Sequence, residues 1–352
     1  MNERRGWTEH PLVQLTRVRY REFFREPEAV FWVFIFPVLL AAGLGIAFRN
    51  RAPERTVVGV VANDPATEKV VEALQHANDV KVVRLSDSAA AEALRTGDVA
   101  LVVASLRGGG VEYRYDDTRP ESRTGRLLVE DALQRAAGRR DPVPVADRLI
   151  RERGARYIDF LVPGLLGMNL MGSGIWGLGF AIVDARKKRL LKRLIATPMA
   201  RWQFLASFVL SRLTLLFIEV GLLLGFGVLV FGVPLRGSLP LLVLICLVSS
   251  LAFASLGLLI ASRARTMEGA SGLMNLVMLP MWIFSGVFFS AARFPDQIQP
   301  LIQALPLTAV INALRANILR GAGWPTIAPE LAIITAWLVV CFLLALKLFR
   351  WR

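Results

Sequence analysis

Six stretches of this chain are predominantly apolar over the length needed to cross a bilayer, and that limits its fold before anything else does. A hydrocarbon core of about 30 Å takes about 20 helical residues. Backbone groups cannot be left unsatisfied there, so such runs fold as helices. The runs are residues 29–48, 157–183, 204–231, 239–261, 273–290 and 328–349. Pro280 lies inside the fifth, where a kink is expected, and Pro234 lies between the third and fourth, where a turn is required. The first run is too long and too far from the start for a cleaved signal peptide, and no small-residue cleavage site accompanies it.

Composition agrees: 54% of the 352 residues are hydrophobic and 20% charged, against about 45–50% and about 25% in soluble domains. Disorder, a collagen-like repeat and a disulfide scaffold are excluded. Cys246 and Cys341 both sit in apolar runs, and the two histidines, His10 and His76, suggest no metal site. A net charge of +14 would suit a nucleic-acid binder in a soluble chain. Here the apolar runs speak for lipid as the partner, and no nucleic acid is expected.

The basic residues set an orientation. With the N-terminus in the cytoplasm, the inside segments 1–28, 184–201, 262–272 and 347–352 hold 18 Lys and Arg, and the short outside loops 232–238 and 291–327 hold 4. The positive-inside rule therefore predicts both termini in the cytoplasm. Trp324 and Trp351 suit interfacial belts.

Residues 49–156, with 19 basic and 17 acidic side chains, read as a water-soluble domain. Long domains translocate largely regardless of charge, so this one is expected outside. Strand-like runs at 56–61, 80–85, 99–104 and 111–115 alternate with helix-like stretches at 66–76, 89–95 and 121–137, which predicts a small α/β domain. Gly108, Gly109 and Gly110 read as a turn, and no catalytic constellation is present. A cap or receptor surface is expected there before an enzyme.

Two basic amphipathic segments flank the spans. In residues 184–203, Arg186, Lys187, Lys188, Arg189, Lys192 and Arg193 alternate with leucines, and Thr197-Pro198 ends the helix-like stretch. It reads either as a headgroup anchor or as a short helix docked on a soluble partner. Residues 1–28 place Leu12, Leu15, Val18, Phe23 and Phe24 among four arginines, as a helix lying in the cytoplasmic interface would.

Charge at membrane depth is expensive and marks a functional or pairing role. Arg212 and Glu219 lie in the third run. Seven residues apart, they share a helix face but stand about 10 Å apart along the axis, so a direct ion pair is not expected. Arg212 is expected to snorkel towards the cytoplasm. Glu219 is expected to line a pathway or to pair with another helix. Ser173, Gly177 and Ala181, and likewise Gly221 and Gly225, recur every fourth residue, a spacing for close helix packing within the chain or at a seam between copies.

One span, an outer α/β domain, then five spans resembles the ABC-2 type permeases of ATP-binding-cassette exporters, in the subgroup with a large domain after the first helix. The resemblance covers essentially the whole chain. It is carried by RYREFFREPEAVFWVFIFPVLL at 19–40, RKKRLLKRLIATPMARWQF at 186–204 and LPMWIFSGVFFSAARFPDQIQPLIQALPLTAVINALR at 279–315. It implies an interfacial helix entering the first span, a cytoplasmic loop contacting the ATPase, and a re-entrant outer hairpin over 291–327. Family loops often carry a glutamate ahead of the Leu-x-x-Leu run, where this chain has Arg186-Lys187-Lys188-Arg189. These residues hold no GxxxxGK[ST] phosphate loop. The resemblance therefore implies a separate ATPase subunit that binds ATP and Mg, no cofactor on this chain, and a second permease copy, identical or related.

The fold expected is thus a polytopic α-helical membrane protein of six transmembrane helices, one plus five, with an inserted extracytoplasmic α/β domain, in a bacterial inner membrane. Few ionisable groups in the spans favour an amphipathic cargo such as a drug, a lipid or a lipid-like metabolite. Sodium export by a related permease is an alternative. A secondary transporter would call for several intramembrane carboxylates and discontinuous helices, and only Glu219 is deep. Five spans after the domain are too many for an anchored receptor, and a membrane enzyme lacks its acid, base and nucleophile.

Overall fold

Helices form along the apolar runs, and their ends are set by local chemistry. A computed structural model describes residues 11–48, 55–61, 65–77, 79–106, 110–140, 143, 154, 156–187, 201–264 and 266–348. These fall into two compact units, one made of residues 1–49 and 150–352, the other of residues 50–149.

The first unit opens with α1 (Pro11–Arg25), whose buried side, with Thr16, packs on α7 (Arg201–Phe231), while Arg17, Arg21 and Arg25 are exposed. Pro27 starts α2 (Pro27–Ala47), which is interrupted by a π-helical turn at Phe31–Ile35. Then come α6 (Tyr157–Lys187), α7, α8 (Leu239–Arg263) and α9 (Met267–Phe284), followed after two 3₁₀ turns by α10 (Gln299–Ala304), α11 (Pro306–Arg320) and α12 (Trp324–Leu348). Helix α6 is the hub, touching α2, α7, α8, α9 and α11. Leu161, Leu165, Leu170, Met171 and Ile175 on it are fully enclosed. Its crossing with α8 is close because glycines line it: a Cβ on Gly257 would stand 2.6 Å from Ile175 O, and one on Gly174 would stand 2.7 Å from Phe253 Cβ.

Five helices are long and apolar enough to cross a membrane: Pro27–Ala47, Tyr157–Asp184, Leu210–Phe231, Leu239–Arg263 and Trp324–Leu348. The pair Asp296–Ala304 and Pro306–Arg320, bent by 84°, makes a sixth if it counts as one span. The bend falls at Leu305, held extended (φ −67°, ψ 134°) by the proline that follows. Most of α11 is buried, with Leu307, Val310, Ile311, Leu314 and Ile318 in the core.

The fifth apolar run, 273–290, is not one helix. Helix α9 starts earlier, where the Thr266 side chain accepts from Gly269 N at 3.1 Å, and so takes in Glu268 and Ser271 ahead of the run. It stops at Phe284 because the chain turns sharply at Gly286 (φ 77°), a backbone conformation natural to glycine. The last six residues of the run form that turn.

The second unit is a four-stranded sheet in the order β2-β1-β3-β4, with β1 (Thr56–Val61), β2 (Val80–Leu85), β3 (Leu101–Leu106) and β4 (Gly110–Arg114). Strand β1 pairs parallel with β2 and β3, and β4 closes the edge antiparallel to β3. Helices α3 (Pro65–Gln75) and α5 (Pro120–Ala136) cover one face over Val58, Val60, Leu101 and Val103. Helix α4 (Asp87–Thr96) covers the other over Val61, Val102 and Ala104. Residues 58–61 of β1 are buried one after another, without alternation, as a strand covered by helices on both faces must be.

Candidate functional site within the helical bundle

Arg212 and Glu219 meet, which corrects the expectation that they stand too far apart. Arg212 Nη1 lies 3.2 Å from Glu219 Oε1. The axial separation of two turns stands, but the arginine stem spans it along one face of α7. Glu219 is 2% exposed, and the Arg212 side chain 22%. A buried carboxylate is tolerated only when its charge is paired and its lone pairs are filled. The second oxygen is filled from α6: Ser173 Oγ lies 3.0 Å from Glu219 Oε2, and Arg212 Nη2 donates to the same hydroxyl oxygen at 2.5 Å.

The network continues to α2. Ser173 Oγ also lies 2.7 Å from Asn169 O, one turn earlier on α6, and Asn169 Nδ2 donates to Val33 O at 3.1 Å. Val33 is the middle residue of the π-helical turn, and such turns disturb the regular ladder and recur at functional sites. Three helices are thus stitched by one run of hydrogen bonds, Val33–Asn169–Ser173–Glu219–Arg212. Arg212 Nε is buried without a partner among the described residues.

A second polar cluster sits at the other end of α6. Asp159, fully buried, accepts from Arg156 Nη2 at 2.7 Å and Nε at 2.9 Å, and from Gly154 N at 2.9 Å. Arg156 Nη2 also reaches Gly232 O at 3.2 Å, tying the start of α6 to the end of α7. On α12, Glu330 accepts from Asn312 Nδ2 of α11 at 3.2 Å, and Trp337 Nε1 donates to Ala304 O at 2.8 Å. These contacts hold α10 and α11 against the bundle.

Of the basic residues expected to dock a partner, Arg186 and Lys187 form the last residues of α6. Lys188, Arg189, Lys192, Arg193, Thr197 and Pro198 lie outside the described residues. Gly177, Gly221 and Gly225 meet nothing within 4 Å, so the close packing expected of them is not made among the described residues. Other glycines make it, at the crossing of α6 and α8. Sequence reasoning passed over Asn169 and read Ser173 only as a small residue. The available signal was that Asn169 is a lone amide in an apolar run. The network can hold charge and fix helix positions. Among the described residues, no group of three His, Cys, Asp or Glu could hold a metal ion.

Comparison with known proteins bears on what such a bundle does. The family model described as "ABC-2 family transporter protein" matches residues 28–347. The chain is 28% identical over 173 residues to the inner membrane transport permease YhhJ of Escherichia coli K12, covering 49% of this chain and 46% of that protein. It is 28% identical over 174 residues to the linearmycin resistance permease protein LnrN of Bacillus subtilis 168, covering 49% and 45%. It is 25% identical over 211 residues to the inner membrane transport permease YadH of Escherichia coli K12, covering 59% and 78%. The chain thus spans a little under half the length of the first two of these relatives. A match over all but the ends, on a polytopic bundle of long apolar helices, makes this chain a member of the ABC-2 family of transporter proteins.

Proposed function

We propose that this chain is the membrane-spanning permease subunit of an ABC exporter, moving an amphipathic substrate out of the cytoplasm with ATP hydrolysed on a separate subunit. The observation that carries the reading is the family match over residues 28–347 on a chain that holds no phosphate loop of its own. The linearmycin resistance permease among the relatives supports a cargo the cell must resist. The apolar bundle supports a greasy cargo, since Arg212 with Glu219 is the one charged pair that α7 buries among the described residues.

In this reading six helices span the inner membrane, α9 being the fifth and α12 the last. Both termini and residues 184–203 are cytoplasmic, and residues 49–156 stand outside. Two permease copies pair with two ATPase subunits that hold ATP and Mg. Nucleotide binding closes the ATPase pair, and the docked basic segment carries that movement into α6 and α7. Such coupling requires an ATPase that binds the two permease conformations unequally. Reversing the charge of Arg189, Lys192 and Arg193 together is expected to uncouple ATP hydrolysis from transport while leaving membrane insertion intact; normal transport by that variant would rule out docking through this face.

The deciding experiment is affinity purification of the tagged chain from native membranes in mild detergent, with an ATPase assay. A Walker-motif ATPase at equal stoichiometry supports the exporter. A chain that comes alone favours ATP-independent transport through Glu219, and ATP-dependent sodium flux from vesicles favours the ion-exporting alternative.

A further inference from the structure

Among the described residues, Arg315 of α11 is a cation in the bundle that no carboxylate meets. Its Nε and Nη2 donate to Phe160 O at 3.3 and 3.1 Å, and Nη2 donates to Gly286 O at 2.7 Å. Its Cζ stands 3.5 Å from the centroid of the Phe160 ring. The nearest acid in sequence to Phe160 is Asp159, which Arg156 and two backbone N–H groups already occupy. Among the described residues no acid pairs with Arg315, and its Nη1 makes no hydrogen bond. That nitrogen is not sealed in, for it is absent from the buried unpartnered atoms, which do include Arg212 Nε.

A purely structural role, capping two carbonyls, accounts for Nε and Nη2 and leaves the two N–H groups of Nη1 idle. Carbonyl dipoles also do not cancel a full charge, and in a low-dielectric bundle the remainder calls for an anion. The place makes this sharper. Phe160 is in the first turn of α6, where the helix end already carries positive partial charge. Next to Gly286, Ser285 is 2% exposed and its hydroxyl has no partner. The turn itself is fixed, because Tyr157 Oη donates to Phe288 O at 3.0 Å. Phe289 in the same turn is 37% exposed. Arg315 is thus tied through Gly286 O to a turn that carries the part-exposed Phe289, while the Ser285 hydroxyl of that turn is sealed in.

We propose that Arg315, with the turn after α9, is a receptor for a phosphate headgroup of net negative charge on a membrane amphiphile, one that brings no cation of its own to the uncompensated guanidinium. The phosphate takes the free Nη1 donors, and the acyl chains lie along Phe289 and the apolar helix surface. The contact is charge-assisted and made from that one free nitrogen, which a lysine ammonium can partly replace. The binding does not depend on the direction of transport or on ATP, so it stands or falls separately from the exporter reading.

The test uses the full chain in nanodiscs of phosphatidylcholine mixed with phosphatidylglycerol, with photoactivatable probes of each lipid. The phosphatidylglycerol probe should label peptides that hold Phe160 or Phe289, well above the phosphatidylcholine probe. Labelling should fall about tenfold in R315Q and stay within about threefold in R315K. Equal labelling by the two probes in the wild type overturns the proposal, and so does unchanged labelling in a folded R315Q. Where R315Q does not fold, the wild-type comparison of the two probes decides alone. Competition by inorganic phosphate separates the sources. Displacement supports a site for phosphate itself, and persistence supports one that needs the chains as well, with Arg315 the receptor in either case.

Discussion

At the scale of single residues, the bundle is organised by a few polar side chains in apolar surroundings. Glu219 is the clearest, because its two oxygens are filled from two helices. Glu219→Gln leaves the Arg212 guanidinium without its counter-charge. It is expected to cost about 2–4 kcal/mol, less than a fully enclosed pair because Arg212 keeps some contact with the surface. The double variant Glu219→Leu with Arg212→Met is expected to recover most of that loss in thermal unfolding of the purified chain. Additive losses would mean that the pair does not act as a unit. Asn169→Ala removes the donor to Val33 O in the π-helical turn. It should destabilise by about 1–3 kcal/mol, and transport should fall with it if the turn matters to function. Gly and Ser spacing in the sequence could not reveal this network, since hydrogen bonds between helices depend on how each is rotated about its axis.

At the scale of elements, glycines separate two kinds of helix surface. Gly257→Ala puts a methyl 2.6 Å from a backbone oxygen of α6, so α6 and α8 must part. A loss of about 1–3 kcal/mol is expected in the unfolding midpoint. Gly221→Ala meets open space on α7 and removes a residue that weakens helices. The monomer should therefore keep or gain stability, by up to about 1 kcal/mol. If Gly221→Ala instead lowers the dimer fraction in detergent, its face is a seam between copies. Strands β1 to β3 of the second unit were legible because valine-rich runs of six residues have few alternatives. The end of α9 was not, because hydropathy continues through Val287, Phe288 and Phe289 while the backbone turns at Gly286.

At the scale of the whole molecule, the chain is two units with separate cores. Residues 50–149 enclose their own sheet and helices. Expressed alone, that segment should fold cooperatively, as followed by circular dichroism. Asp116 is a probe of it. Its carboxylate accepts from Thr118 Oγ1 at 2.6 Å and Thr118 N at 2.9 Å, and these bonds hold its pKa below the usual carboxylate value. A lowered pKa means that its share of stability is complete above about pH 4 and is lost as pH falls through the lowered value. Thr118→Val should move the Asp116 titration back towards the ordinary range, as read by NMR.

Six apolar runs, the basic segments between them and the alternation of strand and helix in residues 49–156 were enough to specify a polytopic helical protein with an inserted α/β domain. Hydropathy and periodicity are local quantities, and the chain states them directly. Tertiary structure alone decided that Arg212 reaches Glu219, that Asn169 holds the π-helical turn, that Arg315 faces two carbonyls without an acid, and that α11 is buried core rather than loop. Each of these depends on which faces of helices distant in sequence are turned towards one another. That choice is made by packing the whole bundle, and no single segment encodes it.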